Sequence, residues 1–291
     1  MALNRAKIGT EYDPATFTVT AEAIARFVRA YNENNPRYLD ANRPGGVVAD
    51  PMFGMVFTWD AALKPMFDGD LSINLMRLVR GGIEIQPKAV VRPGDVITTR
   101  GKFAGVEEKS SGELMTIETR SVNQRGEEVS VILNHHFIRG DKKADGGSKA
   151  EGAKPHGSVD EWKAPGPEVW RATMVVRPDQ SLEYAEPSFD TNPIHTDDNV
   201  ARMAGFKGII LQGSCTMAFA AKHVVDKMQG GDPAGLKRSG VRFAKPVFLG
   251  DTLTTTAWQV ETGPGKTVIA FEMKNQDGVV VLSQGVAEVA R

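Results

Sequence analysis

Apolar residues recur at helical spacing in residues 21–31, at Ile24, Phe27, Val28 and Tyr31, directly after Thr20. This predicts a helix capped by the Thr20 hydroxyl. The polar run NENNPR (32–37) ends it. Asp50 followed by Pro51 is a helix-start signature, so a long helix is expected across the apolar residues 52–66. The pattern then changes to short alternating runs at 82–85, 96–101, 114–122 and 129–138, punctuated by the turns RPGD (92–95) and NQRG (123–126). These predict antiparallel strands, with a further β-branched strand at 16–19.

The order then repeats. A strand is expected at 170–176, a short helical piece around Leu182 and Tyr184, and an apolar helix at 217–228. Strands follow at 240–243, 252–260, 267–274 and 279–289. Local matches support an internal repeat: Asn35-Pro36-Arg37-Tyr38 with Asn192-Pro193-Ile194-His195, Arg80-Gly81-Gly82-Ile83 with Arg238-Ser239-Gly240-Val241, and Gly94-Asp95 with Gly250-Asp251. Between the copies, residues 141–168 are rich in Gly, Lys, Pro and acidic residues and almost lack aliphatic ones, the composition of a linker. The expected organisation is therefore a unit at 1–140, a linker at 141–168 and a unit at 169–291.

Composition narrows the class. The chain has 291 residues, 41% of them hydrophobic and 24% charged, as in ordinary globular proteins. A formal net charge of −1 gives no bulk attraction to nucleic acid or anionic membrane. No apolar run reaches the roughly 20 residues of a membrane helix. The first residues lack the apolar core of a secretory signal and the last three are not a usual peroxisomal tripeptide. The single cysteine, Cys215, fits a reducing compartment, so a cytoplasmic location is expected. The histidines show no metal-ligand spacing, and adjacent His135 and His136 point to opposite faces of a strand.

Candidate chemistry is concentrated in residues 184–213, YAEPSFDTNPIHTDDNVARMAGFKGIILQG. Asp190 and His195 flank a turn stiffened by Pro193, which disfavours helix at Asn192 and lets the two side chains converge. A carboxylate and an imidazole so placed form a candidate acid–base pair. Asn192 fits two roles, orienting a water or forming an Asx turn. Gly213 opens an apolar helical run, where a backbone N–H faces outward at the positive helix end.

Tyr184, Ala185, Ser188, Asp190, Asn192, Pro193, Ile194, His195, Asp197, Ala204, Gly205, Phe206 and Gly213 together resemble the signature of the MaoC-like, R-specific enoyl-CoA hydratases. Phe189 stands where that family usually has Gly, and Gln212 where it often has His. The resemblance implies an α+β double hotdog, two curved antiparallel sheets each wrapped round a central helix. It implies reversible hydration of trans-2-enoyl-CoA to (3R)-3-hydroxyacyl-CoA, with Asp190 and His195 holding one water and the Gly213 N–H on the thioester oxygen. Asn192, Ser188 and Phe189 would line the substrate site, Phe189 narrowing it, and Arg242 and Lys245 would meet CoA phosphates or a solvated edge. No metal or redox cofactor is implied; the partner is an acyl-CoA thioester, and two copies of the chain are expected to pair. Two other readings share the fold: an acyl-CoA thioesterase and a non-catalytic acyl-CoA-binding module.

The repeat assigns the active half. Glu33 replaces Asp190, Tyr38 replaces His195, and Pro51, which has no N–H, falls near the position of Gly213. The first unit is therefore expected to be catalytically degenerate.

Overall fold

A computed structural model describes residues 2–140 and 165–291. The proposed linker lies almost wholly outside these residues, as does His156. The first half comprises β1 (Ala15–Thr18), α1 (Ala21–Ala30), α2 (Pro36–Leu39), α3 (Gly54–Phe57), α4 (Trp59–Leu63), β2 (Leu78–Pro87), β3 (Val96–Lys109), β4 (Gly112–Val122) and β5 (Glu128–Arg139). The second comprises β6 (Glu168–Val175), α5 (Gln180–Ser188), α6 (Asp198–Met203), α7 (Gly213–Gln229), β7 (Leu236–Phe243), β8 (Thr252–Gly263), β9 (Lys266–Lys274) and β10 (Val280–Ala290). The repeat read from local matches is thus present as two strand sets in the same order.

The sheet arrangement corrects the expectation of two separate sheets. All ten strands form one antiparallel sheet in the order β1-β3-β4-β5-β2-β7-β10-β9-β8-β6. The halves join where β2 pairs with β7, Gly82 opposite Arg242 and Ile85 opposite Ser239. Gly82 permits this seam, since a Cβ there would lie 2.7 Å from the Val241 carbonyl oxygen. One apolar core runs beneath both halves, bringing Phe27, Tyr31 and Phe53 together with Met217, Phe219 and Phe271.

Among the described residues, only the second half has a long central helix. Helix α7 has 17 residues, and its inner face buries Cys215, Met217, Ala218, Phe219 and Val224. The counterpart predicted at 52–66 is broken into short turns. Asp50 does cap its start, accepting from the Met52 N–H at 2.7 Å. The Thr58 hydroxyl then bonds back to the Gly54 carbonyl at 2.7 Å, a contact that bends helices. Pro65 lacks the N–H that would bond the Ala61 carbonyl. That carbonyl packs instead against Gly101 of β3, where a Cβ would sit 2.3 Å from its oxygen.

Helix α1 forms as the pattern predicts. Thr20 caps it by accepting from the Ala23 N–H at 3.0 Å, and Ile24, Phe27 and Val28 are buried. Helix α1 packs against α5, so the two halves touch through their first helices as well as through the sheet.

Candidate active site

The chain reaches the site through α5 and a tight 3₁₀ turn. Helix α5 stops at Ser188, whose buried hydroxyl donates to the Ala185 carbonyl at 3.2 Å and accepts from the Asp190 N–H at 3.3 Å. Phe189 follows with φ 62°, in the left-handed region. Gly is favoured in that conformation, which gives a physical reason for the glycine common at this position. Asn192 then accepts from the Ile194 N–H at 3.3 Å, starting the turn Pro193–His195. The Asx-turn role is therefore present; the side-chain amide group is left over from it.

His195 is buried, with 7% of its surface exposed. Its Nδ1 lies 2.8 Å from the Ile210 carbonyl oxygen. A carbonyl only accepts, so Nδ1 carries the proton and Nε2 presents its lone pair. Nε2 lies 4.0 Å from Asp190 Oδ1. Both atoms accept, and the gap suits one water about 2.8 Å from each. Burial lowers the imidazole below its usual range; Arg80 adds to this, while Asp190 and the Ile210 carbonyl oppose it.

Gln212 ties this loop to the start of α7. It is fully buried, and its Nε2 donates to the Ser181 carbonyl at 2.9 Å and the Asp190 carbonyl at 3.3 Å. The Ser181 hydroxyl lies 2.7 Å from the His195 carbonyl and 3.0 Å from Gln212 Oε1. Gly213 is the first residue of α7, and the first N–H groups of a helix have no acceptor within it. A Cβ on Gly213 would meet the Phe243 ring at 3.1 Å, so the chain passes close to β7 here.

Asp190, His195 and the start of α7 are thus brought together, with Asn192 in the connecting turn. Ser188 is placed behind them as a structural bond. Phe189 is 42% exposed, and its ring meets Phe17 edge-on at 6.4 Å. Arg242 points away, because Phe243 faces α7 and neighbouring strand residues face opposite ways. Lys245 is exposed beyond the strand end. Gln212 and Ser181 were not candidates from sequence. The departure from His at Gln212 was the available signal for one; Ser181 left none.

The counterpart position in the first half is different. Glu33 accepts from the Asn34 and Asn35 N–H groups, both at 2.7 Å, and meets Lys222 Nζ of α7 at 3.2 Å. The buried Tyr38 hydroxyl lies towards the Asp50 carboxyl but makes no close hydrogen bond among the described residues. A cavity of about 120 Å³ lies beside Asp50 and Pro51, lined also by Val91, Leu236 and Lys237.

The sequence profile of the MaoC like domain matches residues 162–280, and that of the FAS1-like, dehydratase domain region matches residues 6–131. A Mycobacterium tuberculosis protein named 3-hydroxyacyl-thioester dehydratase Y is 31% identical, over 75% of this chain and 74% of the relative.

The chain belongs to the MaoC-like dehydratase family.

A Dictyostelium discoideum relative named probable enoyl-CoA hydratase 2 is 29% identical over 81% of this chain and 79% of its own length. Among solved structures, a MaoC-like dehydratase from Phytophthora capsici superposes with a TM-score of 0.78 at 24% identity, covering 99% of this chain and 97% of that one. A Mycobacterium tuberculosis protein described as having a double hotdog fold superposes at 0.59 with 14% identity, covering 97% and 96%. The fold of this MaoC-like chain is therefore of the hotdog class. No helix among its described residues is long and apolar enough to cross a membrane.

Proposed function

We propose that this MaoC-like chain is a hydro-lyase that catalyses reversible syn hydration of trans-2-enoyl-CoA to (3R)-3-hydroxyacyl-CoA. The observation that carries the reading is the 4.0 Å gap between His195 Nε2 and Asp190 Oδ1, with Nδ1 fixed on the Ile210 carbonyl. One water held by both acceptors loses a proton as its oxygen bonds to Cβ, and a proton is returned to Cα. The reaction adds H and OH with no net oxidation. The thioester oxygen gains negative charge as Cβ is attacked, and the Gly213 N–H at the positive end of α7 supports it. Acid–base groups of this kind contribute about 10²–10⁴ in rate each, and an oxyanion donor about 10²–10³.

Residues 169–291 form the active unit in this reading, and residues 1–140 serve as scaffold and as a wall of the acyl groove. A cytoplasmic location and pairing of two chains belong to the same reading; the lone Cys215 supports the first. The test is turnover of crotonyl-CoA, followed by loss of the enoyl absorbance. Asp190→Asn and His195→Ala should each lower kcat by about 10²-fold or more. Near-wild-type rates in either variant would refute the assignment. Release of free CoA by the wild type, without 3-hydroxyacyl product, would favour thioester hydrolysis instead.

A further inference from the structure

Strand β2 carries a bulge. Arg80 lies opposite His136 and Gly82 opposite His135 on β5, so Gly81 is an extra residue. An extra residue shifts the alternation of side chains by one, turning the preceding residue to the other face. Beyond the bulge, Ile83 and Ile85 enter the core, and Glu84 between them faces outward. Without the bulge, with Gly81 an ordinary strand residue, Arg80 would share that outer face. With it, Arg80 shares the inner face of its partner His136, which is buried and itself lies opposite the buried Met115 of β4.

In β7 the bulge falls before the matching arginine, at Lys237, since Leu236 lies opposite Val289 and Arg238 opposite Glu288. Arg238, Ser239 and Gly240 of β7 pair in unbroken register with Glu288, Ala287 and Val286. Arg238, the repeat counterpart of Arg80, stays on the outer face and meets the Glu84 carboxylate at 2.6 Å. The two strands thus place their bulges on opposite sides of the matching arginine, and only in β2 does this turn the arginine inward. Arg80 is half-buried, and among the described residues it has no ion pair and no hydrogen-bonded carboxylate. Its charge is felt by His136 on its own sheet and by two side chains of the second half, His195 and Tyr184. Gly82 lies opposite Arg242, and the next residue of β7, Phe243, packs against Gly213, so the inward Arg80 two residues earlier on β2 lies near the start of α7; a partly buried cation placed there without an ion pair suits an anionic group of the ligand.

We propose that Arg80 is a substrate-reading residue of the active site, receiving a negatively charged oxygen of the bound acyl thioester. This rests on the hydratase reading above. The negative oxygen has two sources: the enolate that forms on the thioester during hydration, or a carboxylate carried by the acyl group. The guanidinium suits either, since it donates several N–H bonds and keeps its charge.

The experiment compares Arg80→Met, Arg80→Gln and Arg80→Lys in the full chain with wild type and with Arg238→Met, the outer-face control. Each is assayed on crotonyl-CoA and on the carboxylated glutaconyl-CoA, with kcat and KM separated. If the enolate is the partner, the neutral variants lose about 10²-fold in kcat on both substrates. If an acyl carboxylate is the partner, they lose on glutaconyl-CoA alone, chiefly through KM. In both cases Arg80→Lys recovers part of the loss and Arg238→Met stays within about twofold of wild type. Should the neutral variants be poorly folded, bound acetoacetyl-CoA reports on Arg80→Lys, whose displaced charge should lower the fraction of ligand held as enolate or weaken a competing dicarboxylate. Neutral variants equal to wild type on both substrates, while Asp190→Asn is inactive, would overturn the role of Arg80 alone. A wild type inactive on every enoyl-CoA would overturn the hydratase reading with it.

Discussion

The side-chain amide of Gln212 donates to the backbone carbonyl of Asp190 at 3.3 Å. The same nitrogen holds the Ser181 carbonyl at 2.9 Å, so the loop bearing the proposed acid–base pair is fastened to the first turn of α7. Gln212→Ala leaves buried carbonyls without their donor, which costs about 1–3 kcal/mol. The expected outcome is a lower melting temperature together with a fall in kcat of about tenfold or more, as the pair drifts from the Gly213 N–H. Kinetics on crotonyl-CoA alongside thermal melts checks both; an unchanged kcat would show that the clamp serves stability only.

The acid limb of the rate profile should lie low. In the proposed mechanism His195 must be neutral at Nε2 to take a proton, and burial holds its imidazole below the ordinary range. A lowered value means that the base stays active as pH falls below about 6.5, where an exposed histidine would already be charged. Measurement of kcat/KM from pH 8 downward checks this. A limb centred above the ordinary imidazole value would contradict the buried, neutral base.

Asp50 gives the first half its own pH dependence. Its enclosed carboxyl is pushed up to about 6, chiefly by burial and further by Glu33, against the bond from the Met52 N–H. An acid raised above its unfolded value favours the folded state below the unfolded value of about 3.9, and this advantage is lost as pH rises through 6. Asp50→Asn keeps the cap and removes the charge. It should therefore gain on the order of 2 kcal/mol at neutral pH and little at pH 4. Urea unfolding at both pH values is the measurement; equal gains at both would exclude titration of this carboxyl as the cause.

Phe189→Gly separates backbone strain from pocket shape. The left-handed backbone costs a bulky residue roughly 1–2 kcal/mol, and the edge contact with Phe17 returns about 0.5–1.5 kcal/mol. Stability should change by less than about 1 kcal/mol on these figures. Activity should broaden towards longer enoyl-CoA chains if the ring narrows the groove, as a chain-length series would reveal.

If residues 1–140 are the inactive half, as proposed, they should tolerate loss of their polar tips. The buried Tyr38 hydroxyl lies towards the Asp50 carboxyl but makes no close hydrogen bond among the described residues, so Tyr38→Phe should change stability by less than about 1 kcal/mol. Turnover should remain within about twofold of wild type, in contrast to variants of His195. A loss as large as that of His195→Ala would mean that the first half takes part in the chemistry.

Much of this was legible in the residues themselves. Thr20 announced α1, the turn sequences bounded the strands, and Asn192-Pro193 made the convergence of Asp190 and His195 predictable. What stayed hidden depends on partners distant in sequence. The seam between β2 and β7 depends on Gly82 meeting the Val241 carbonyl, a contact no local pattern encodes. The helix expected at 52–66 fails because of Thr58, Pro65 and the press of β3 against the Ala61 carbonyl. The bulge at Gly81 shows only once β5 is laid beside β2, so the direction of Arg80 was beyond reach.

The pairing of β2 with β7 bears on how the molecule could be taken apart. Each of those strands would be an open border if its half were made alone, with unmet amides inviting any other strand. Two separately produced pieces, one ending at Gly140 and the other starting at Pro165, should instead seek each other out and rebuild a working catalyst in the test tube.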